Sequence, residues 1–274
     1  MKKQMSIVLT CLCAVVLVVS CKKDQHTQTP AASGEISQAA LNAIYNKGFS
    51  TADVHKVSGG YLVEGDIFLS EEDLATSFSG PVLRVANTEQ YRTTNLVTNL
   101  PRTIKIKVTG LGTAFVAGAD TAINRYNHAN ISLTFTRITS GTADITISGF
   151  NQGPSGGYIT LGSSGFPTSS GNPYSAISMN TNSQAYGSNP NVLYVGSVIQ
   201  HELGHCIGFR HTDYFNRSYS CGGSASNEGS AGVGAILIAG TPSGGDPNSF
   251  MLACSNGGNR TFNANDLIAL NYLY

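Results

Sequence analysis

The hydrophobic positions fall into zones with different periods. Ile7 to Val19 is an uncharged, mainly apolar run preceded by Lys2 and Lys3. Its 13 residues fall short of the roughly 20 that span a bilayer, so it predicts a cleaved export signal and not an anchor helix. Lys22 to Gly34 is polar and has no period, which predicts a flexible tether. A short helix is expected over Ile36 to Asn46, followed by the hydrophobic, turn-rich segment Tyr61 to Leu69.

From Arg102 the pattern sharpens. Thr103 to Val108 alternates with period two, as a half-buried strand does. In Ala114 to Ala129 the positions Phe115, Ala119, Ala122, Ile123 and Tyr126 recur at helical spacing. Strands are expected at Ile131 to Ile138, Ala143 to Ser148, Tyr158 to Leu161 and Ala176 to Asn180, and a second helix at Asn191 to Phe209. A Gly-rich loop region, Gly222 to Gly258, precedes a closing helix, Asn263 to Tyr274. This order predicts an α+β catalytic unit over residues 101–274 behind a smaller unit at 35–100, with 1–20 as signal and 21–34 as tether.

Composition narrows the function classes. Lys+Arg and Asp+Glu are both 16, so no charge excess points to a nucleic-acid partner. Only 12% of residues are charged while Gly reaches 31, which suits a loop-rich exported domain. The apolar run ends in Val18-Val19-Ser20-Cys21, which resembles the bacterial lipobox and implies a lipid on Cys21, a membrane tether and a cell-envelope location at the outer membrane or cell surface. Cys11 and Cys13 leave with the signal, so Cys206, Cys221 and Cys254 remain to form one disulfide in any of three pairings.

The chemistry concentrates in His201-Glu202-Leu203-Gly204-His205-Cys206-Ile207-Gly208-Phe209-Arg210-His211. Residues four apart share a helix face, so His201 and His205 can offer their rings to one ion with Glu202 beside it. Gly208 can take the positive φ that ends the helix and lets His211 return as third ligand. Three neutral imidazoles suit one catalytic Zn2+ with a water in the fourth position, and Glu202 is placed to serve as general base. Three of the chain's six His lie within these eleven residues, and His26, His55 and His128 have no such company.

This pattern, H-E-x-x-H-x-x-G-x-x-H, resembles that of the metzincins, and Ser249-Phe250-Met251, forty residues after His211, looks like their methionine turn, in which Met251 supports the metal from beneath. With Thr212-Asp213 and the closing helix, the stretch from Tyr61 to Tyr274 is similar to the dual-action HEIGH peptidases, the M57 group. The resemblance implies a twisted mixed sheet, an active-site helix and a zinc metalloendopeptidase acting on polypeptide substrates. Astacins are a further relative. Their pro-segments carry a Gly-Asp pair that blocks the zinc, and Glu64-Gly65-Asp66-Ile67 resembles it, which casts residues 35–100 as a pro-segment and Asp66 as zinc blocker, with release after a cut near Arg102.

Two positions depart from astacins. Ala253 stands where they place a transition-state tyrosine, and Thr212 stands where they have Glu, leaving Asp213 to fix the loop. Asn227, Glu228, Asp246 and Asn248 offer oxygen atoms for calcium, but their spacing matches turn chemistry better. Substrate is expected along an edge strand near Ala176 to Asn180. The alternative from another class is a surface-tethered binding protein with an inactive zinc site.

Overall fold

The computed structural model describes residues 35–47, 49–75, 90–155, 157–223, 227–228, 235–242 and 245–274. The signal, the tether, Cys21 and His26 lie outside them.

Residues 35–75 form a small lobe. Helix α1 (Gln38–Asn46) begins where the Ser37 hydroxyl accepts the Ala40 amide. Strands β1 (His55–Val57), β2 (Gly60–Val63) and β3 (Ile67–Ser70) make an antiparallel sheet in that order, and the short α2 (Glu71–Ala75) follows. Tyr61 to Leu69, expected only as a turn-rich stretch, is thus a hairpin. Its turn holds Glu64 at φ 54° and Gly65 at φ 89°. Ile44, Phe49, Tyr61, Val63, Ile67 and Leu69 bury one another in a core of the lobe's own.

The larger unit starts earlier than residue 100. Strand β4 (Tyr91–Arg92) pairs antiparallel with β10 (Ile236–Leu237), Thr93 N donates to Gly208 O at 2.8 Å, and Val97 N donates to the Tyr274 hydroxyl at 3.2 Å. Its main sheet contains β5 (Arg102–Val108), β6 (Leu133–Arg137), β7 (Ile145–Phe150), β8 (Gly162–Ser163) and β9 (Ala176–Asn180) in the order β6-β5-β7-β9-β8. All neighbours run parallel except β8, which is antiparallel to β9. The alternation read in Thr103 to Val108 appears as buried Ile104 and Ile106.

Helices α3 (Thr113–His128) and α5 (Val192–Cys206) pack on each other and bury the sheet, with Ile104, Phe115, Tyr126, Ile147, Val195 and Leu203 in one continuous core. The short α4 (Ser183–Tyr186) precedes α5. Asn191 caps α5, its side-chain oxygen accepting the amides of Leu193 and Tyr194. Helix α6 (Ser218–Cys221) is tied by the Cys221–Cys254 disulfide, which leaves Cys206 buried with a free thiol. The chain ends in α7 (Ala264–Leu273), opened by a capping box between Asn263 and Asp266. Among the described residues no helix is long and apolar enough to cross a membrane.

Two expectations are corrected. Ala176–Asn180 is not the outermost strand: β7 pairs along one side and the two-residue β8 pairs with Ser178 and Met179 on the other, so β8 forms the rim of the sheet. Alternation could not reveal this, because a two-residue rim strand has no period to read. Arg102, near which a releasing cut was expected, lies within the larger unit. It heads a central strand, and its guanidinium donates to Gly171 O at 3.1 Å and Asn172 Oδ1 at 3.0 Å.

Candidate metal centre

Helix α5 carries His201 and His205 one turn apart and then stops. Gly208 N donates to His205 O at 2.9 Å, and Phe209 N reaches back to Gly204 O at 2.9 Å. Gly208 itself has φ 109°, and a Cβ there would lie 2.8 Å from Leu96 Cδ2 and 3.0 Å from Asn95 O. Only glycine meets both demands. The reversal brings His211 back to the helix. Nε2 of His205 then lies 3.1 Å from that of His201 and 3.2 Å from that of His211.

The outer ring nitrogens show what this trio fits. His201 Nδ1 is 2.9 Å from Phe250 O, His205 Nδ1 is 2.8 Å from Phe209 O, and His211 Nδ1 is 2.9 Å from Glu228 Oε1. Those oxygens accept, so each Nδ1 carries a proton and each Nε2 is the nitrogen left to face an ion. Three such nitrogens at these distances suit a cation among them. Tetrahedral zinc, with Zn–N of about 2.0–2.1 Å, sets nitrogens roughly 3.3 Å apart. The donor set therefore fits the ion.

A fourth donor is Asp66 from the β2–β3 turn of the lobe. Its Oδ2 lies 3.2 Å from Nε2 of both His201 and His211, and 3.9 Å from that of His205. Burial alone raises the Asp66 carboxyl, but the facing imidazoles, His211 above all, hold it well below the usual carboxylate range. Burial lowers His205 to about 4, which keeps that ring neutral. It acts the same way on His211, but the carboxylates of Asp66 and Glu228 outweigh it and push that ring up.

Glu202 is buried beside the trio, and its Oε2 accepts from the Ser164 hydroxyl at 2.7 Å. Gly162 on the rim strand makes room, since a Cβ there would be 2.9 Å from Glu202 Oε1. Burial, and after it the negative charge of Asp66, push the Glu202 carboxyl well up, against the Ser164 hydroxyl. Met251 is fully buried under α5, where a Cβ on Gly204 would come within 2.5 Å of its Sδ. The Phe250 peptide beside it is fixed by Asp266, whose Oδ2 accepts Phe250 N at 3.1 Å.

The sequence reading passed over several of these partners. Glu228, weighed there for calcium, is fully buried and spent on His211 and on Arg217, whose Nε lies 3.2 Å away. Asp246 is likewise committed, accepting from Asn263 and Asn265 side chains at 2.7 and 3.0 Å. Ser164 and Glu64 were missed as well. None carries a motif; they meet the site through loops and a separate lobe. Asp213 fixes its loop, accepting from Ala253 N and the Ser220 hydroxyl. His55 pairs with Asp53, and exposed His128 bonds back to Asn124 O. A cavity of about 670 Å³ between lobe and main unit, lined by Leu62, Tyr194, Val198, His201 and Phe250, opens beside the trio.

A family model described as dual-action HEIGH metallo-peptidase matches residues 62–274. No curated protein matches the chain. Among solved structures, one of myroilysin is 14% identical and covers 66% of this chain and 96% of its own, with a TM-score of 0.42. A second myroilysin structure is 15% identical, covers 65% and 86%, and has a TM-score of 0.39. High choriolytic enzyme 1, a hatching-enzyme zinc protease from Oryzias latipes (medaka fish), is 15% identical, covers 62% and 88%, and has a TM-score of 0.36.

Proposed function

We propose, given that the chain belongs to the dual-action HEIGH metallo-peptidase family and is therefore a zinc-dependent peptidase, that it cleaves internal peptide bonds and is held silent by its own N-terminal lobe. The observation that carries this is the meeting of three imidazole nitrogens and the Asp66 carboxylate at one point.

His201, His205 and His211 would hold the zinc. When bound, it supplies a water acidified to near pKa 7 and a Lewis acid for the scissile carbonyl. Glu202 takes the proton of the attacking water and returns it to the leaving amine nitrogen. The Ser164 hydroxyl orients the Glu202 carboxylate for both transfers. Extended substrate adds to the rim strand β8, where backbone bonds grip a polypeptide without selecting side chains.

The lobe uses that same rim. Phe68 N donates to Ser164 O at 2.8 Å and Ser164 N donates to Asp66 O at 3.0 Å. We read residues 66–68 as standing where substrate would lie, with the Asp66 carboxylate against the three imidazoles that would hold the zinc. Processing that removes the lobe frees both. The apolar run ending at Cys21 supports an exported, lipid-anchored protein at the cell envelope, tethered through residues 21–34.

Casein hydrolysis by the zinc-loaded chain tests this, with bound metal measured alongside. Asp66→Ala is expected to be active without processing, and Glu202→Ala to lose about 10²–10⁴-fold in rate while keeping its zinc. Zinc bound with no Glu202-dependent cleavage, in Asp66→Ala as in wild type, would favour the surface-tethered binding protein instead. Cys21→Ser is expected to move the chain from the membrane fraction to the soluble one; an unchanged distribution rejects the anchor.

A further inference from the structure

Two residues before Asp66, the lobe sends a second carboxyl into the larger unit. Glu64 is 2% exposed, and its Oε2 accepts from Arg210 Nη2 at 3.0 Å. Arg210 sits inside the metal-binding motif, immediately before His211, and is 1% exposed. Its guanidinium lies over the rings of Phe166 and Tyr214, with centroids 5.8 and 5.9 Å away, and over Phe49 of the lobe at 5.3 Å. Glu228 Oε2 is 3.8 Å from Arg210 Nη2, and the same side chain holds His211 Nδ1 and Arg217 Nε. Glu64 is therefore seated on the Arg210 guanidinium and Asp66 on three imidazoles.

We infer that Arg210 is a carboxyl-binding site whose ligand in the intact chain is Glu64, so that the lobe is held by two anchors, Asp66 at the imidazoles and Glu64 at the guanidinium. The inference rests on the lobe being inhibitory and adds how it is held. A turn that merely closed β2 onto β3 would have no need of a buried carboxyl in a sheath of aromatic rings. Buried ion pairs add little net stability over well-packed apolar groups, but losing one partner is severe. That asymmetry suits a contact that must be made in one register and, once broken, is not replaced by a loose one. Glu64 keeps φ 54°, uncommon for a residue with a Cβ, and this aims its side chain at Arg210 while Asp66 reaches the trio. A one-residue slip of the turn would forfeit both anchors together.

The test uses the full zinc-loaded chain in four forms: wild type, Asp66→Ala, Glu64→Ala, and Glu64→Leu with Arg210→Met. The last replaces both partners, so it guards against misfolding caused by a guanidinium that has lost its lobe-side carboxyl. Casein hydrolysis before processing, tryptic loss of the lobe and bound zinc are measured together. Glu64→Ala and the double variant are expected to cleave casein and shed the lobe at least tenfold faster than wild type, with zinc still bound. If both stay as silent and as trypsin-resistant as wild type while Asp66→Ala is active, the second anchor is refuted and autoinhibition stands. If Asp66→Ala is silent too, autoinhibition falls and takes this inference with it.

Discussion

Asp66, Glu202 and Glu228 are three buried carboxyl groups around one trio of imidazoles, and their neighbours set them to different states. Asp66 faces the ring nitrogens and stays ionised; Glu202, met mainly by burial and by Asp66, is pushed up; Glu228, despite burial, is drawn down by His211 and two arginines. Glu228 thus orients His211 from behind, and orienting partners of this kind are worth about 10–100-fold in metal affinity. Glu228→Ala is expected to weaken zinc binding by that factor in a chelator competition, whereas unchanged affinity would reduce the residue to packing. His201, Glu202, His205 and His211 were legible from spacing because one helix and one glycine bring them together. Glu228 was not, because it comes from a loop 17 positions beyond His211 that only folding returns to the site.

At the scale of elements, α5 and α7 are joined through the segment Ser249-Phe250-Met251. Asp266 opens α7 and accepts from Asn263 N at 3.0 Å, Ser249 Oγ at 2.9 Å, Gln90 Nε2 at 2.5 Å and Phe250 N at 3.1 Å. Phe250 O in turn accepts a hydrogen bond from His201 Nδ1. Burial raises the Asp266 carboxyl to about 6, with these hydrogen bonds opposing it. A carboxyl raised on folding contributes stability that is complete below its unfolded value near 4 and is lost as pH climbs through 6. The swing is roughly 3 kcal/mol. The stability of wild type relative to Asp266→Asn should therefore decline from pH 4 to pH 7 in denaturant titrations; a difference that is flat or rises with pH would contradict it. The capping box itself is readable in Asn263-Ala264-Asn265-Asp266, but its reach to Gln90, Ser249 and Phe250 is not.

For the molecule as a whole, two bodies share one site, and the line between them bears on activation. Gln90 to Val97 are bonded to Asp266, Gly208 and Tyr274, so a cut near Arg102 would strip a strand and several anchors from the larger unit. The active fragment is expected to begin at or before Gln90, as mass spectrometry of the processed protein would show; a start beyond Val97 with full activity would rule this out. The linear order of residues determined the α+β class, the helix that carries two imidazoles, the glycine that stops it and the metal those rings suit. These depend on local periods and on contacts a few residues apart. Tertiary structure alone decided which strand forms the rim, that Cys221 pairs with Cys254, that Glu228 backs His211, and that the lobe sets Glu64 against Arg210. Such contacts join segments whose separate patterns hold no trace of one another, so they exist only once burial of both cores has fixed where each surface lies.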